Sequence, residues 1–113
     1  MIADDDPGIL DFLSIMLAYD GYEVSCTLNG AALLKLNNEL PDLFLLDTWM
    51  SGVDGREVCA YLKQNESTKK IPIIMISASK DVEQSALLAG ADAFLEKPFE
   101  MADLLAKVAR YMG

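Results

Sequence analysis

The sequence predicts an α/β protein, a doubly wound parallel sheet with helices on both faces. Three observations lead there. Two continuous apolar runs, Leu43-Phe44-Leu45-Leu46 and Ile71-Pro72-Ile73-Ile74-Met75-Ile76, read as strands buried on both sides. Between such runs, apolar residues recur at helical spacing. Strands that alternate with helices need long crossovers, and these cover both faces of a parallel sheet. The strand–helix unit recurs about five times, with no linker, so residues 1–113 are expected to form one domain.

The elements follow in order. Only Met1-Ile2-Ala3 precede the acidic run Asp4-Asp5-Asp6. That is short for a central strand of the usual ~5–6 residues, so upstream residues are expected to be missing from this sequence. Asp6 is placed to cap a helix with Pro7 at its first position and Ile9, Leu10, Leu13, Met16 and Leu17 on its inner face. Gly21 ends it. Glu23–Leu28 reads as a second strand, and Asn29 caps a helix carrying Ala32, Leu33 and Leu36 that stops before Pro41. The third strand closes in Asp47, and Thr48 to Val53 reads as a loop punctuated by Gly52 and Gly55. Asp54 caps a third helix with Val58, Tyr61 and Leu62 inward, and Glu57 and Lys63 on solvated faces. Pro72 stands near the start of the fourth strand, where proline is tolerated. Asp81 to Ala89 forms a helix closed by Gly90, Ala93-Phe94-Leu95 a last strand, and Leu104, Leu105, Val108 and Met112 the inner stripe of a final helix. Met16, Met75 and Met112 read as core filler, and Lys69-Lys70 as a solvated loop.

Composition excludes several functions. Apolar residues are 52% of the 113, enough for a core and too many for a disordered chain. The net charge of −9 argues against nucleic-acid or anionic-lipid surfaces, which recruit Lys and Arg. With no histidine, Ser–His and Cys–His nucleophile pairs are impossible, and the chain cannot itself carry phosphohistidine. Cys26 and Cys59 form no CxxC pair and read as half-buried thiols of a reduced compartment. No apolar run approaches the ~18 residues of a membrane span and no leader is visible, so a soluble cytoplasmic protein is expected.

In doubly wound sheets, ligands bind beyond the carboxyl ends of the strands. There the first strand ends in Asp4 and Asp5, the third in Asp47, the fourth in Ser77 and the fifth in Glu96 and Lys97. Clustered carboxylates repel: two unit charges 4 Å apart cost about 4 kcal/mol at an effective dielectric near 20. Oxygen-only ligands select a hard cation, and Mg²⁺ suits few carboxylates with several waters. A carboxylate can accept a phosphoryl group, a hydroxyl such as that of Ser77 can hydrogen-bond it, and the ammonium of Lys97 can neutralise its charge. Metal-assisted phosphoryl transfer onto an aspartate is the expected chemistry.

These residues resemble the receiver domain of two-component response regulators. The matching pieces are Asp4-Asp5-Asp6-Pro7, Asp47 through Gly55, Ile76-Ser77-Ala78, and Gly90 through Phe99, in family order and spacing over almost the whole chain. The resemblance implies strand order 2-1-3-4-5. It implies Asp47 as phosphoacceptor, Asp5 as direct Mg²⁺ ligand, Asp4 acting largely through water, and the backbone carbonyl of Trp49 as a further ligand. Ser77 and Lys97 would hold the phosphoryl oxygens, and Ser77 and Phe94 would form the switch. A histidine kinase or phosphotransfer protein would supply the phosphoryl group. A downstream protein would bind the face of the fourth helix, fifth strand and last helix (the α4-β5-α5 face), with the domain a monomer or weak dimer. The Lys97–Pro98 bond is expected to be cis. The chain departs from the family at Ser51, usually proline, and at Phe94, often tyrosine, while Trp49 puts bulk beside the site. Two rivals stay open: an Mg²⁺-dependent phosphatase of the aspartyl-phosphate type, weakened by Trp49 where that class wants a carboxylate, and a receiver that serves only as an interaction module.

Overall fold

The fold is given by a computed structural model, which describes residues 1–35, 40–50 and 52–112. Its elements are β1 (Ile2–Ala3), α1 (Pro7–Tyr19), β2 (Cys26–Thr27), a 3-10 helix (Gly30–Lys35), β3 (Phe44–Asp47), β4 (Trp49–Met50), β5 (Val53–Asp54), α2 (Gly55–Gln64), β6 (Ile73–Ser77), a second 3-10 helix (Lys80–Val82), α3 (Glu83–Leu88), β7 (Ala93–Glu96) and α4 (Met101–Met112). The main sheet is parallel throughout, in the order β2-β1-β3-β6-β7. Counting only its own strands, that is the expected 2-1-3-4-5.

Alternation along the strands splits the interior in two. Phe44 and Leu46 of β3 and Ile73 and Met75 of β6 pack on one side with Leu33, Val58, Cys59, Leu62 and Ala86. Leu45, Ile74 and Ile76 pack on the other with Leu10, Leu13 and Leu17 of α1 and Leu104 and Val108 of α4. The period-2 pleat sends successive side chains to opposite faces, so an uninterrupted apolar run demands a cover on each.

The helix ends follow their local chemistry. Asp6 Oδ1 accepts from the N–H groups of Gly8 and Ile9, satisfying donors that the first turn leaves unpaired. Gly21 follows α1 at φ +96°, a left-handed conformation that glycine adopts without strain. Asn29 caps its helix by accepting from Ala31 N–H, but the helix is a 3-10 turn rather than the α-helix expected. Leu36, assigned to that helix, and Ser51 lie outside the described residues.

Several expectations need correction. The second strand is Cys26–Thr27 rather than Glu23–Leu28. The supposed loop Thr48 to Val53 contains β4, which pairs antiparallel with β5. The fourth helical stretch begins as a 3-10 turn before α3. Tyr61 is exposed and donates its hydroxyl to Leu34 O, while Cys59, one helical position from Val58, takes the buried place. Lys63 is no solvated side chain: its Nζ donates to Ile71 O and Asp92 Oδ2, at 2.9 and 2.8 Å. Met112 is exposed and Met16 only half-buried, and Leu105 is half-buried at the margin of the layer that holds Leu104 and Val108. Met75 is core, as expected, and so is Met50, which the loop reading passed over.

Neither thiol is half-buried: Cys26 is exposed and Cys59 fully enclosed, both unpaired. Burial pushes the Cys59 thiol up to about 11. A thiol-specific chromogenic reagent at neutral pH is therefore expected to titrate one group in the native protein and two after denaturation. Rapid reaction of both thiols in the folded state would contradict this packing.

Candidate functional site

Three parallel strands deliver the site. β1 and β3 are neighbours, with Ala3 opposite Leu46, so the residues that follow each strand leave the sheet side by side. Asp4 continues β1 and donates its N–H to Thr27 O. Asp47 ends β3 opposite Ile76, and Thr48 N–H donates to Ile76 O, carrying the pairing one step past the carboxylate. Oxygens of Asp4, Asp5 and Asp47 lie within 4.8 Å of one another.

Lys97 enters from the far strand. Its N–H donates to Ser77 O at 2.7 Å, which pins the end of β7 to the end of β6. Its Nζ then reaches Asp4 Oδ2 at 3.0 Å and Asp47 Oδ1 at 3.4 Å. The Lys97–Pro98 bond is cis, as expected. Asp4 is 2% exposed and its other oxygen accepts from Asp6 N–H. Ser77 is buried, with Oγ accepting from Ser79 N–H.

The electrostatics follow from burial and neighbours. Burial raises the Asp47 carboxyl above its ordinary value, Asp4 and Asp5 add to the rise, and Lys97 only partly offsets it. For Lys97, burial works to lower the pKa, but the hydrogen bond to Asp4 and the charges of Asp47 and Asp4 outweigh it, and the value rises. One ammonium faces three carboxylates, so the cluster carries excess negative charge. Its donors are all oxygen, with no imidazole or thiolate within it. That set suits a small hard divalent cation such as Mg²⁺.

The remaining expected residues fall into place unevenly. Glu96 ends β7 but is exposed and outside the cluster. Phe94 sits half-buried on β7, opposite Met75, against the core that also holds Leu46. Trp49, two residues past Asp47, is 58% exposed rather than anchoring the segment. The anchor is its neighbour Met50, which is fully buried.

Sequence reasoning missed two supports. Gly55 opens α2 against the backbone of Asp47: its N–H donates to Thr48 O at 2.8 Å, and a Cβ there would collide with Asp47 O and Thr48 Cα. Asp54 caps α2 through Arg56 N–H, as expected, and is also forked by the Arg56 guanidinium, Nε to Oδ1 at 2.9 Å and Nη2 to Oδ2 at 2.8 Å. The Asp54-Gly55-Arg56 run was the available signal, but spacing alone does not show which backbone a glycine must touch. The large cavity of about 510 Å³, lined by Met1, Tyr22, Val24, Pro41 and Val108 among others, lies at the opposite edge of the sheet and has no part in this cluster.

A doubly wound sheet with carboxylates and a lysine converging at its carboxyl edge defines a phosphoryl-accepting signalling domain. The chain belongs to the response regulator receiver domain family, whose model matches residues 1–109. It is 39% identical over 111 residues to the DNA-binding dual master transcriptional regulator RpaA of Synechocystis, covering 96% of this chain and 46% of that one. It is 36% identical over 110 residues to the phosphate regulon regulatory protein PhoB of Rhizobium meliloti, covering 95% and 48%. The chain thus spans about half the length of these curated relatives. Among solved structures, the response regulator TrrA of Thermotoga maritima, in complex with Mg²⁺-BeF, superposes with TM-score 0.87 at 31% identity over 97% of this chain and 95% of that one. The receiver domain of the sensor histidine kinase PA1611 of Pseudomonas aeruginosa, with magnesium in its active-site cleft, gives TM-score 0.88 at 25% identity over 99% and 94%. The chain is therefore a receiver domain, the phosphoacceptor-switch module of two-component response regulators. Among the described residues, no helix is long and apolar enough to cross a membrane.

An acid whose folded pKa lies above its ordinary 3.8 opposes folding when ionised. The penalty is full above the folded value and fades as pH falls toward the unfolded one. Without metal at neutral pH, Asp47→Asn is expected to stabilise the fold, seen as a higher Tm than the parent's. The gain should shrink as the pH of the thermal melts is lowered toward 4, the end of the range near the ordinary carboxylate value. A variant less stable than the parent across that range would contradict the charge balance.

Proposed function

We propose that Asp47 accepts a phosphoryl group from a phosphohistidine on a histidine kinase or phosphotransfer protein, with Mg²⁺ held by Asp4, Asp5, Asp47 and the backbone carbonyl of Trp49. The observation that carries this reading is the convergence of three carboxylates within 4.8 Å, with Lys97 bridging Asp4 and Asp47. A carboxylate oxygen of Asp47 attacks phosphorus, the phosphorus–nitrogen bond breaks, and imidazole leaves with the partner, which fits a chain with no histidine of its own. Bound Mg²⁺ supplies positive charge against the phosphoryl oxygens. Lys97, already on Asp47, holds one of those oxygens, and Ser77 donates its hydroxyl to another.

The group then acts as a switch. Drawing Ser77 toward the phosphoryl oxygens frees space for Phe94 to turn inward from its half-buried place on β7. The face formed by Lys80–Leu88, β7 and α4 changes shape and binds a downstream protein. Two states separated by a few kcal/mol suffice. Residues 1–113 act as one domain, monomeric or weakly dimeric, in the cytoplasm. The domain promotes its own phosphorylation and dephosphorylation but turns over no external substrate, and the net charge of −9 speaks against direct contact with nucleic acid.

Asp47→Asn is expected to abolish phosphotransfer from a phosphorylated histidine kinase, read as label on the domain. Undiminished labelling of the variant would overturn the assignment. Trp49, the sole tryptophan, provides a second check. Millimolar Mg²⁺ should change its fluorescence, and beryllofluoride should change it further. Silence to both would remove the metal from the proposed site.

A further inference from the structure

Arg56 has a third partner beyond the two oxygens of Asp54. Its Nη1 donates to Ser85 Oγ at 3.1 Å, across 29 residues of chain. Ser85 Oγ in turn donates to Val82 O at 2.9 Å. The guanidinium therefore joins two parts of the molecule that the proposed switch moves relative to each other. One is the segment after Asp47, where Asp54 caps α2 and Gly55 is pressed on the backbone of Asp47 and Thr48. The other is the segment after Ser77, running through the second 3-10 helix and α3.

The second segment has few other ties. Ala86 is its only buried side chain between Lys80 and Leu88. Neither the 3-10 turn nor α3 has a side-chain hydrogen bond at its N-cap. Just past its end, Cys59 Sγ makes a 3.7 Å contact with Ala89 O. Leu87 and Leu88 stand exposed. A segment so lightly packed is poised to shift, and one directional contact is a large share of what fixes it. The fork on Asp54 makes the contact effective, because a guanidinium held by two bonds has little freedom left to lose in making a third.

We infer that Arg56 is a positioning residue that latches the Lys80–Leu88 segment to the phosphoacceptor loop through Ser85, and so biases the switch toward its resting arrangement. This rests on the phosphoacceptor reading above and adds its regulation. Binding at the site pulls Ser77 and the segment behind it, and the latch resists. By linkage, releasing the latch strengthens whatever binding favours the shifted arrangement, and leaves binding that favours neither unchanged.

The test uses Trp49 fluorescence to measure two affinities in the full chain, Mg²⁺ alone and beryllofluoride at saturating Mg²⁺. Ser85→Ala, which leaves the Asp54 fork intact, is expected to tighten beryllofluoride binding roughly two- to tenfold, the equivalent of one net hydrogen bond, with Mg²⁺ affinity unchanged. Arg56→Lys should do the same, since a point charge cannot fork Asp54 and reach Ser85 together. The double variant should gain nothing over either single one. Ser85→Thr keeps the hydroxyl and should bind as the parent does. Unchanged or weaker beryllofluoride binding in Ser85→Ala, or equal tightening in Ser85→Thr, overturns the latch while the parent's own response upholds the site. A parent that answers neither Mg²⁺ nor beryllofluoride overturns the site and the latch together.

Discussion

The fold holds negative charge where water would otherwise disperse it. Asp4 is almost wholly enclosed, the Asp47 side chain is mostly covered, and Asp5 stands within 4.8 Å of both. Parallel pairing of β1 with β3 forces this, because the residues that end neighbouring strands must leave the sheet together. The repulsion is tolerated because Lys97 lies between Asp4 and Asp47, and because the two apolar layers behind the strands supply the stability that the cluster does not. Most other features near the carboxyl edge serve that arrangement. Gly55 lets α2 start against the Asp47 backbone, Met50 roots the short hairpin, and the bond from Lys97 N–H to Ser77 O sets the distance between lysine and carboxylates.

Much of this was legible beforehand. The continuous apolar runs identified β3 and β6, because only a sheet covered on both faces needs both parities of a strand to be apolar. Asp47, directly after such a run, stood out for the same reason, as did Asp6-Pro7 as a helix start. The site residues Asp4, Asp5 and Lys97 are the polar groups that close their strands, and the fold gathers them. Glu96 passed the same question and failed the structure, since a strand end fixes where the backbone leaves and not which way a side chain turns.

What sequence could not supply was mostly contact across distance. Lys63 looked like a solvated helix residue until the fold brought Asp92 and Ile71 O beside it. Tyr61 and Cys59 differ by two positions, and the helical rotation that exposes one and buries the other is settled by packing against the strands. The β4–β5 hairpin is too short for periodicity to register. The 3-10 character of Gly30–Lys35 is likewise a matter of how tightly a short segment is wound, which residue identity barely constrains.

The division of the interior into two layers reaches further than stability. In β3, Phe44 and Leu46 face one layer and Leu45 the other, and Asp47 is the next residue. A slip of a single residue along β6 would exchange the layers and carry the carboxylate away from its companions. The alternatives that misplace the acidic group are the same ones that strand oily side chains against the wrong cover. Accuracy in the chemistry is thus inherited from hydrophobic proofreading of the strand, and a misthreaded chain would be discarded for its greasy errors before its catalytic ones were ever exposed.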